Sequence, residues 1–378
     1  MDSTDQQCAT VDEFRDEVRA WLEFNLTPPV VEAALRPVDE SNLEILRAWN
    51  VRLAEGGWAA PSWPVEHGGR AASVPQQVAY LEEMSRMRAP GPVNVIGVAN
   101  IAPAIMRFGT EEQKQRFLGP MLRGDEIWSQ GMSEPDAGSD LAALRTSAVD
   151  AGDEFIVNGQ KTWNSMGHFA DWCQLYVRTD PTARKHQGIT CFLVDLRSAG
   201  VDARPVRAIT GDHGFAELFL SDVRVPRSAM LGELNQGWTV AMTTLSFERA
   251  GVARLHLMLS NKLSDLLADP RSVLALSDRR LRQRVARLHS DICCMRWLTQ
   301  RGLADQTAFR GAGGSLAKLS WSGIDQELGN LAIDLVGMEG LSDRWAHNLV
   351  SARQASIAGG TTEINRNIVA EHVLGLPR

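Results

Sequence analysis

Residues 128–148, WSQGMSEPDAGSDLAALRTSA, followed at 157–172 by VNGQKTWNSMGHFADW, decide how this chain is read. Before them, apolar residues recur at helical spacing; after them, short runs rich in β-branched and aromatic residues begin. Within the first motif, Ser133, Gly138 and Ser139 make a loop of hydroxyls and freed backbone N–H groups, as a polar ring or a phosphate requires. Taken alone, such a loop is more often just a turn. In the second motif, Asn158-Gly159 is the strongest short hairpin signal and predicts a turn between two strands.

Working outward, VDEFRDEVRAWLEFNL places Val11, Phe14, Val18, Trp21 and Leu22 on one helical face. SNLEILRAWNVRLAEGG opens on a Ser/Asn cap signal and stops at Gly56-Gly57. PSWPVEHGG is a rigid connection, and further helices are predicted in SVPQQVAYLEEMSRM, in NVIGVANIAPAIMRFG and in TEEQKQRFLGPML, where Thr110 is the cap. WCQLYVRTD, GITCFLVDL, VDARPVR and AELFLSDVRVP extend the β region into a barrel or sandwich of about 100 residues. The helical period then returns: residues 239–267 read as one long buried helix, 277–304 as a second, 314–336 as a third and 361–376 as the last. The expected fold is mainly α with a middle β-domain: a helical domain over 1–124, the β-domain over 125–232 and a helical bundle over 233–378.

The 378 residues are 44% hydrophobic and 22% charged, an ordinary soluble composition of more than one domain. A net charge of −7 argues against nucleic acid as the main partner. The N-terminus has no basic start and no apolar core of a signal peptide, and no run of 18 apolar residues occurs, so no membrane span is expected. Five cysteines, an odd number, fit a reducing compartment, and the cytoplasm is the expected location. Eleven tryptophans beside two tyrosines suit core packing for the most part and stacking on a flat ligand for a few.

The two motifs together resemble the acyl-CoA dehydrogenase family, whose hallmark is a Ser/Thr-Glu-Pro-x-Ala-Gly-Ser-Asp loop followed by Asn-Gly-Gln-Lys-x-Trp. The likeness covers nearly the whole chain, from GWAAPSWPVEHGG through FGTEEQKQRFLGPMLRGDEIW to the closing GGTTEINRNIVAEHVLGLPR. It implies an N-terminal helical domain, a middle β-domain and a C-terminal four-helix bundle. It also implies FAD as cofactor, an acyl-CoA substrate and oxidation to the 2,3-enoyl-CoA. By this resemblance Met132 and Ser133 contact the flavin pyrimidine edge, and Ser139 lies near the cofactor pyrophosphate and the thioester arm. Trp163 covers one flavin face and the Ser165 hydroxyl hydrogen-bonds flavin N5. The alternatives are a hairpin core residue for Trp163 and a core methionine for Met132.

Family members carry the catalytic carboxylate at one of two places. Many read Glu-Gly-Thr before the last helix; this chain reads Gly359-Gly360-Thr361. The other place is on the long helix, where LSFERAGVAR puts Glu248-Arg249 at the position used by isovaleryl-type members. A single acid in that apolar stretch has its pKa raised toward operating pH, as a general base requires; an ion pair with Arg249 or Arg254 is the competing role. The resemblance leaves the Gly359 N–H to hydrogen-bond the thioester oxygen, and sets Thr361 and Glu363 near the cofactor diphosphate, with Arg366 offsetting the glutamate. Ser246 and Arg249 are expected near the pantetheine arm.

Two family motifs that reach a neighbouring subunit's FAD are eroded. Arg-x-x-Phe-Gly keeps only Arg271, and Gln-x-x-Gly-Gly-x-Gly survives as DLVGMEG with Gly337 and Gly340. This resembles members from actinobacterial-type degradation of sterols and bulky acyl groups, which assemble from two different subunits; a second such chain, or self in a tetramer, is the expected partner. An electron-transferring flavoprotein is the acceptor the family implies. The alternatives are a mainly structural subunit completing another chain's FAD site, or a flavin oxidase of the same fold. ARKHQG reads as a basic surface loop, and His289 with Cys293 and Cys294 as a surface histidine and two buried thiols.

Overall fold

The computed structural model describes residues 10–250, 254–305 and 312–377, with the side chains of 247–250 excepted. Six helices come first: α1 (Val11–Asn25), α2 (Pro28–Ala33), α3 (Leu43–Glu55), α4 (Val74–Arg86), α5 (Ala102–Phe108) and α6 (Glu111–Arg123). A π-helical turn, Ile96–Ile101, runs straight into α5. Helix α1 opens on a reciprocal capping box between Thr10 and Glu13 and buries Phe14, Val18 and Leu22. Thr110 caps α6 as its sequence predicts, accepting the Gln113 N–H at 3.2 Å. Gly56 and Gly57 end α3, the latter at φ +73°.

Asn42 departs from its expected role. Its side chain does not cap α3; it is buried, accepts the Asp39 N–H and donates to the Ala33 and Pro37 carbonyls, stitching the connection between α2 and α3. Unmet carbonyls of a buried turn outcompete the helix end for that amide.

Eight strands follow: β1 (Trp128–Gly131), β2 (Ser147–Asp150), β3 (Glu154–Ser165), β4 (Trp172–Arg178), β5 (Ile189–Asp195), β6 (Val201–Val206), β7 (Phe215–Pro226) and β8 (Met230–Leu231). They form one sheet in the order β6-β7-β3-β2-β4-β5-β8, with β1 added parallel to β4. The hydrogen-bonded path is open, ending at β6 and β8, so the barrel is not closed. The sheet nevertheless curls over its own core: Phe155 of β3 and Phe192 of β5 have ring centroids 5.0 Å apart, although two strands lie between theirs.

The predicted turn at Asn158-Gly159 is not there. Strand β3 runs through both residues and pairs with β2 on one side and β7 on the other; the turn between β2 and β3 falls at Gly152. Gly159 is required because a Cβ would lie 2.6 Å from Thr146 Oγ1 and 2.7 Å from its Cα, at a register shift where its φ is +152°. A bulge beside a close neighbouring strand and a hairpin turn ask for the same residue pair.

The chain ends in α7 (Gly237–Ala250), α8 (Leu255–Ala268), α9 (Pro270–Ala275), α10 (Arg279–Ala304), α11 (Gly313–Val336), α12 (Arg344–Ser351) and α13 (Thr362–His372). Of the single helix expected over 239–267, the described residues show α7 to Ala250 and α8 from Leu255; 251–253 lie outside them. Leu259, Leu263 and Leu266 of α8, Leu288, Ile292 and Met295 of α10, and Leu328, Leu331 and Leu335 of α11 form one core at helical spacing. Val240 and Ala241 of α7 belong instead to the core of the N-terminal helices, so α7 joins the bundle to the rest of the molecule.

Candidate active site

The loop between β1 and β2 is clamped onto β3 by a buried ion pair. Lys161 Nζ, wholly buried, donates to Glu134 Oε1 at 2.8 Å and to the Met132 carbonyl at 3.1 Å. The Glu134 carboxylate also accepts the backbone N–H groups of Arg145 (2.7 Å) and Thr146 (2.9 Å). Burial works against ionisation of Glu134; Lys161 and these donors outweigh it and hold the carboxyl below its usual range. Thr162 N–H donates to the Ser133 carbonyl at 2.9 Å. The carbonyls of Met132 and Ser133 are therefore spent on the fold, while their N–H groups have no acceptor among the described residues.

Just beyond Lys161 the pairing of β3 with β7 shifts register again, and Trp163 sits in that bulge at φ +60°. A left-handed backbone is strained for a bulky side chain. The indole is 59% exposed, and Phe215 meets it edge-to-face with ring centroids 5.8 Å apart. Asn164 is buried beneath the bulge and donates to the Gln130 carbonyl at 2.7 Å, and Ser129 Oγ donates to the Ser165 carbonyl at 2.9 Å. The chain is pinned on both sides of an indole held outward. An exposed aromatic face beside two unused N–H groups fits a flat, polar-edged ring such as a flavin, and Ser165 lies half-buried next to it.

Near the C-terminus, Gly359 and Gly360 take φ +65° and +87°, and Thr361 Oγ1 accepts the Ile364 N–H at 3.2 Å as the cap of α13. The Gly360 carbonyl accepts Lys318 Nζ at 2.5 Å and Asn365 Nδ2 at 2.7 Å. Among the described residues no backbone acceptor serves the N–H of Gly359 or Gly360. Glu363, on the first turn, has its carboxyl lowered by its own backbone amide and the Thr361 hydroxyl, with Arg366 and Lys318 adding to the effect. A helix N-terminus with two cations about its one acid keeps the character of an anion site.

Helix α7 is set against the sheet at two points. Its first residue must be glycine, because a Cβ at Gly237 would lie 2.7 Å from the Thr190 carbonyl carbon. Buried Thr244 accepts Gln174 Nε2 at 3.2 Å and shares a hydrogen bond with the Tyr176 hydroxyl at 3.3 Å. Glu248 falls one turn later on the same helix; its side chain and that of Arg249 lie outside the described residues. Ser246 is exposed and donates to the Thr243 carbonyl at 2.7 Å.

Ser139 is exposed, and its neighbour Asp140 pairs with Lys185, which draws the 183–188 loop against the Ser139 loop. Arg271 is committed inside its own chain, to Asp269 at 2.9 and 2.7 Å and to Asp343 at 2.8 Å. Asp269 also accepts the Trp345 indole N–H at 3.0 Å. Cys293 Sγ is 3.7 Å from His289 Nε2; Cys293 is half-buried and Cys294 exposed, not two buried thiols, because both lie on an outer turn of α10. Sequence reasoning passed over Lys161, Glu134 and Lys318. An acid and a lysine inside two adjacent glycine-bearing motifs was the available signal for the first pair; α11 carried none for Lys318.

Three family models match the chain: acyl-CoA dehydrogenase N-terminal domain over 9–125, middle domain over 129–223 and C-terminal domain over 235–374. The acyl-CoA dehydrogenase IpdE1 of Mycobacterium tuberculosis is 39% identical over 381 residues, covering 97% of this chain and 98% of that protein. FadE34 of the same organism is 39% identical over 95% of this chain and 49% of its own length. Among solved structures, the Tcur3481-Tcur3483 steroid ACAD superposes with a TM-score of 0.87 at 30% identity, over 97% of this chain and 98% of that one. The ChsE4-ChsE5 complex from Mycobacterium tuberculosis gives 0.85 at 30% identity, over 100% and 99%. Among the described residues no helix is long and apolar enough to cross a membrane.

Proposed function

This chain belongs to the acyl-CoA dehydrogenase family, FAD-dependent oxidoreductases acting on a CH–CH bond of an acyl-CoA, and on that premise we propose that it converts a bulky, sterol-derived acyl-CoA to its 2,3-enoyl-CoA with Glu248 as base. The observation that carries the site is Trp163, an indole held outward on a strained bulge beside the N–H groups of Met132 and Ser133, which have no acceptor among the described residues. The sterol class rests on relatives whose names include a steroid ACAD.

Met132 and Ser133 would hold the flavin pyrimidine edge, Trp163 would cover one face, and the Ser165 hydroxyl would serve N5. Ser139 would serve the pyrophosphate and the thioester arm, Thr361 and Glu363 would line the diphosphate, and Ser246 and Arg249 are the residues we assign to the pantetheine. FAD supplies the two-electron acceptor for the hydride leaving the β-carbon. The chain's own work is on the α-carbon: the thioester acidifies its hydrogen, Glu248 takes the proton, and the Gly359 N–H donates to the thioester oxygen as enolate charge builds there. An electron-transferring flavoprotein is the acceptor we assign to the reduced enzyme.

Glu248→Gln is expected to keep FAD and lose substrate-dependent flavin bleaching in anaerobic titration with acyl-CoAs. Normal bleaching by that variant removes Glu248 from the mechanism. Reoxidation of the wild-type enzyme by oxygen at its turnover rate would favour the oxidase reading.

A specific contact favours a two-chain assembly. Arg271, the remnant of a motif that serves a neighbour's cofactor, is held by Asp269 and Asp343 of its own chain. We therefore place a second acyl-CoA dehydrogenase-like subunit beside this one, supplying the missing adenine contacts, as the paired names of Tcur3481-Tcur3483 and ChsE4-ChsE5 describe for those proteins.

A further inference from the structure

We propose that Lys318 is a positioning residue for this reaction: from a buried place near the start of α11 it holds the Gly359–Gly360 turn so that the Gly359 N–H meets the thioester oxygen. The inference rests on the proposed role of that N–H. Two successive left-handed glycines are the least self-supporting backbone a catalytic donor could have, because glycine loses more freedom on ordering than any other residue. A donor aimed at developing charge must nonetheless be fixed before the reaction, since reorientation during the step would consume the stabilisation. Something outside the turn must hold it.

The structure assigns that task to one carbonyl. The Gly360 oxygen takes Lys318 Nζ at 2.5 Å and Asn365 Nδ2 at 2.7 Å, and Asn365 also donates to the Thr361 carbonyl at 3.0 Å. Asn365 packs directly on the turn: a Cβ at Gly360 would lie 3.1 Å from its Nδ2. Asn365 is on α13, the helix into which the turn leads; Lys318 is on α11, whose buried face belongs to the bundle core. Lys318 is thus the anchor to a rigid body. It is only 6% exposed, an unusual position for a lysine. A charged donor on the Gly360 carbonyl also sets positive charge beneath the site where the enolate oxygen would form, and charge-assisted bonds are the shorter and stronger kind.

The test compares Lys318→Met, Lys318→Gln and Lys318→Arg in the assembled holoenzyme, with a readout on FAD-free protein as well. In the FAD-free chain, Lys318→Met is expected to speed hydrogen exchange of residues 357–362 at least about tenfold while the α11 amides stay protected. In the holoenzyme, FAD content is retained, KM stays within about threefold, and kcat falls about 10–100-fold, less than loss of a whole oxyanion donor. An acyl-CoA with sulfur in place of the β-carbon reports the step directly, because it can lose its α-proton and cannot lose a hydride. The pH midpoint of the long-wavelength band it forms with oxidised flavin is expected to rise by about one unit in Lys318→Met. Lys318→Arg recovers most of the loss and Lys318→Gln part of it. An unchanged midpoint and kcat overturn the proposal. So does activity lost only in proportion to FAD or assembly, which makes Lys318 a support of the fold. Glu248→Gln is the separate control: if it still bleaches, the reading of the active site fails, whatever Lys318 does to exchange.

Discussion

Lys161 and Glu134 show how much a single pair of side chains settles. The pair lies at the junction of two motifs, and its cost in desolvation is offset only by complete pairing. Lys161→Met is expected to lower stability by about 3–5 kcal/mol in urea unfolding at neutral pH, because it strands a buried carboxylate. Adding Glu134→Gln should recover part of that. The pH dependence has a definite sign. Glu134 is held below the ordinary carboxylate range, so its contribution is fully present above an unfolded-state pKa of about 4.3 and is lost as pH falls through the lower folded value. The gap between wild type and Lys161→Met should therefore narrow as pH drops below about 5, where the stranded carboxyl takes up a proton. A gap that stays constant to pH 3 would mean that Glu134 is not ionised in the folded protein. The candidate site was legible at this scale wherever the proposed role rests on a residue's own chemistry, as it does for Trp163. It was not legible for Lys318, whose meaning depends on a carbonyl 42 positions away.

Elements were read well where the signal is local and poorly where it is not. The capping box at Thr110 and the glycine stop after α3 depend on residues within one turn, and both stand as expected. The Asn158-Gly159 pair was misleading because what demands Gly159 is Thr146, just ahead of the neighbouring strand and outside any local window. Helix α7 is the element on which the proposed chemistry turns, and its placement is set at Gly237. Gly237→Ala pushes a methyl into the Thr190 backbone, which cannot rotate aside. A loss of about 1–3 kcal/mol is expected, typical of overpacking. Flavin bleaching should slow by more than the folded fraction declines, because the start of α7 shifts with the helix that bears Glu248. If bleaching falls only with the folded fraction, the helix is tolerant of its own register on β5.

For the whole molecule the question is which contacts are made within the chain and which between chains. Arg271 joins Asp269 ahead of α9 to Asp343 ahead of α12, and Trp345 closes the group. Arg271→Leu is expected to lower the Tm of the assembled protein while leaving FAD per intact chain unchanged. FAD lost at constant Tm would show instead that the guanidinium reaches a neighbour. The order helix, β, helix was visible in the sequence because the period of apolar residues changes from 3.6 to 2 and back. That α7 shares a core with the N-terminal helices was not visible, since an apolar face carries no label for its partner.

The sequence by itself determined the family and the three-part order of the chain, and it supplied the residues we propose to face a flavin, because ligand-binding loops are built from residues adjacent along the backbone. The tertiary structure decided the rest. It set Trp163 outward on a bulge, made Gly159 a close contact rather than a turn, turned Arg271 inward and put Lys318 beneath the Gly359–Gly360 turn. Each of these depends on an atom brought close from far along the chain, and such distances are fixed by packing the cores together, not by any local preference of the residues involved.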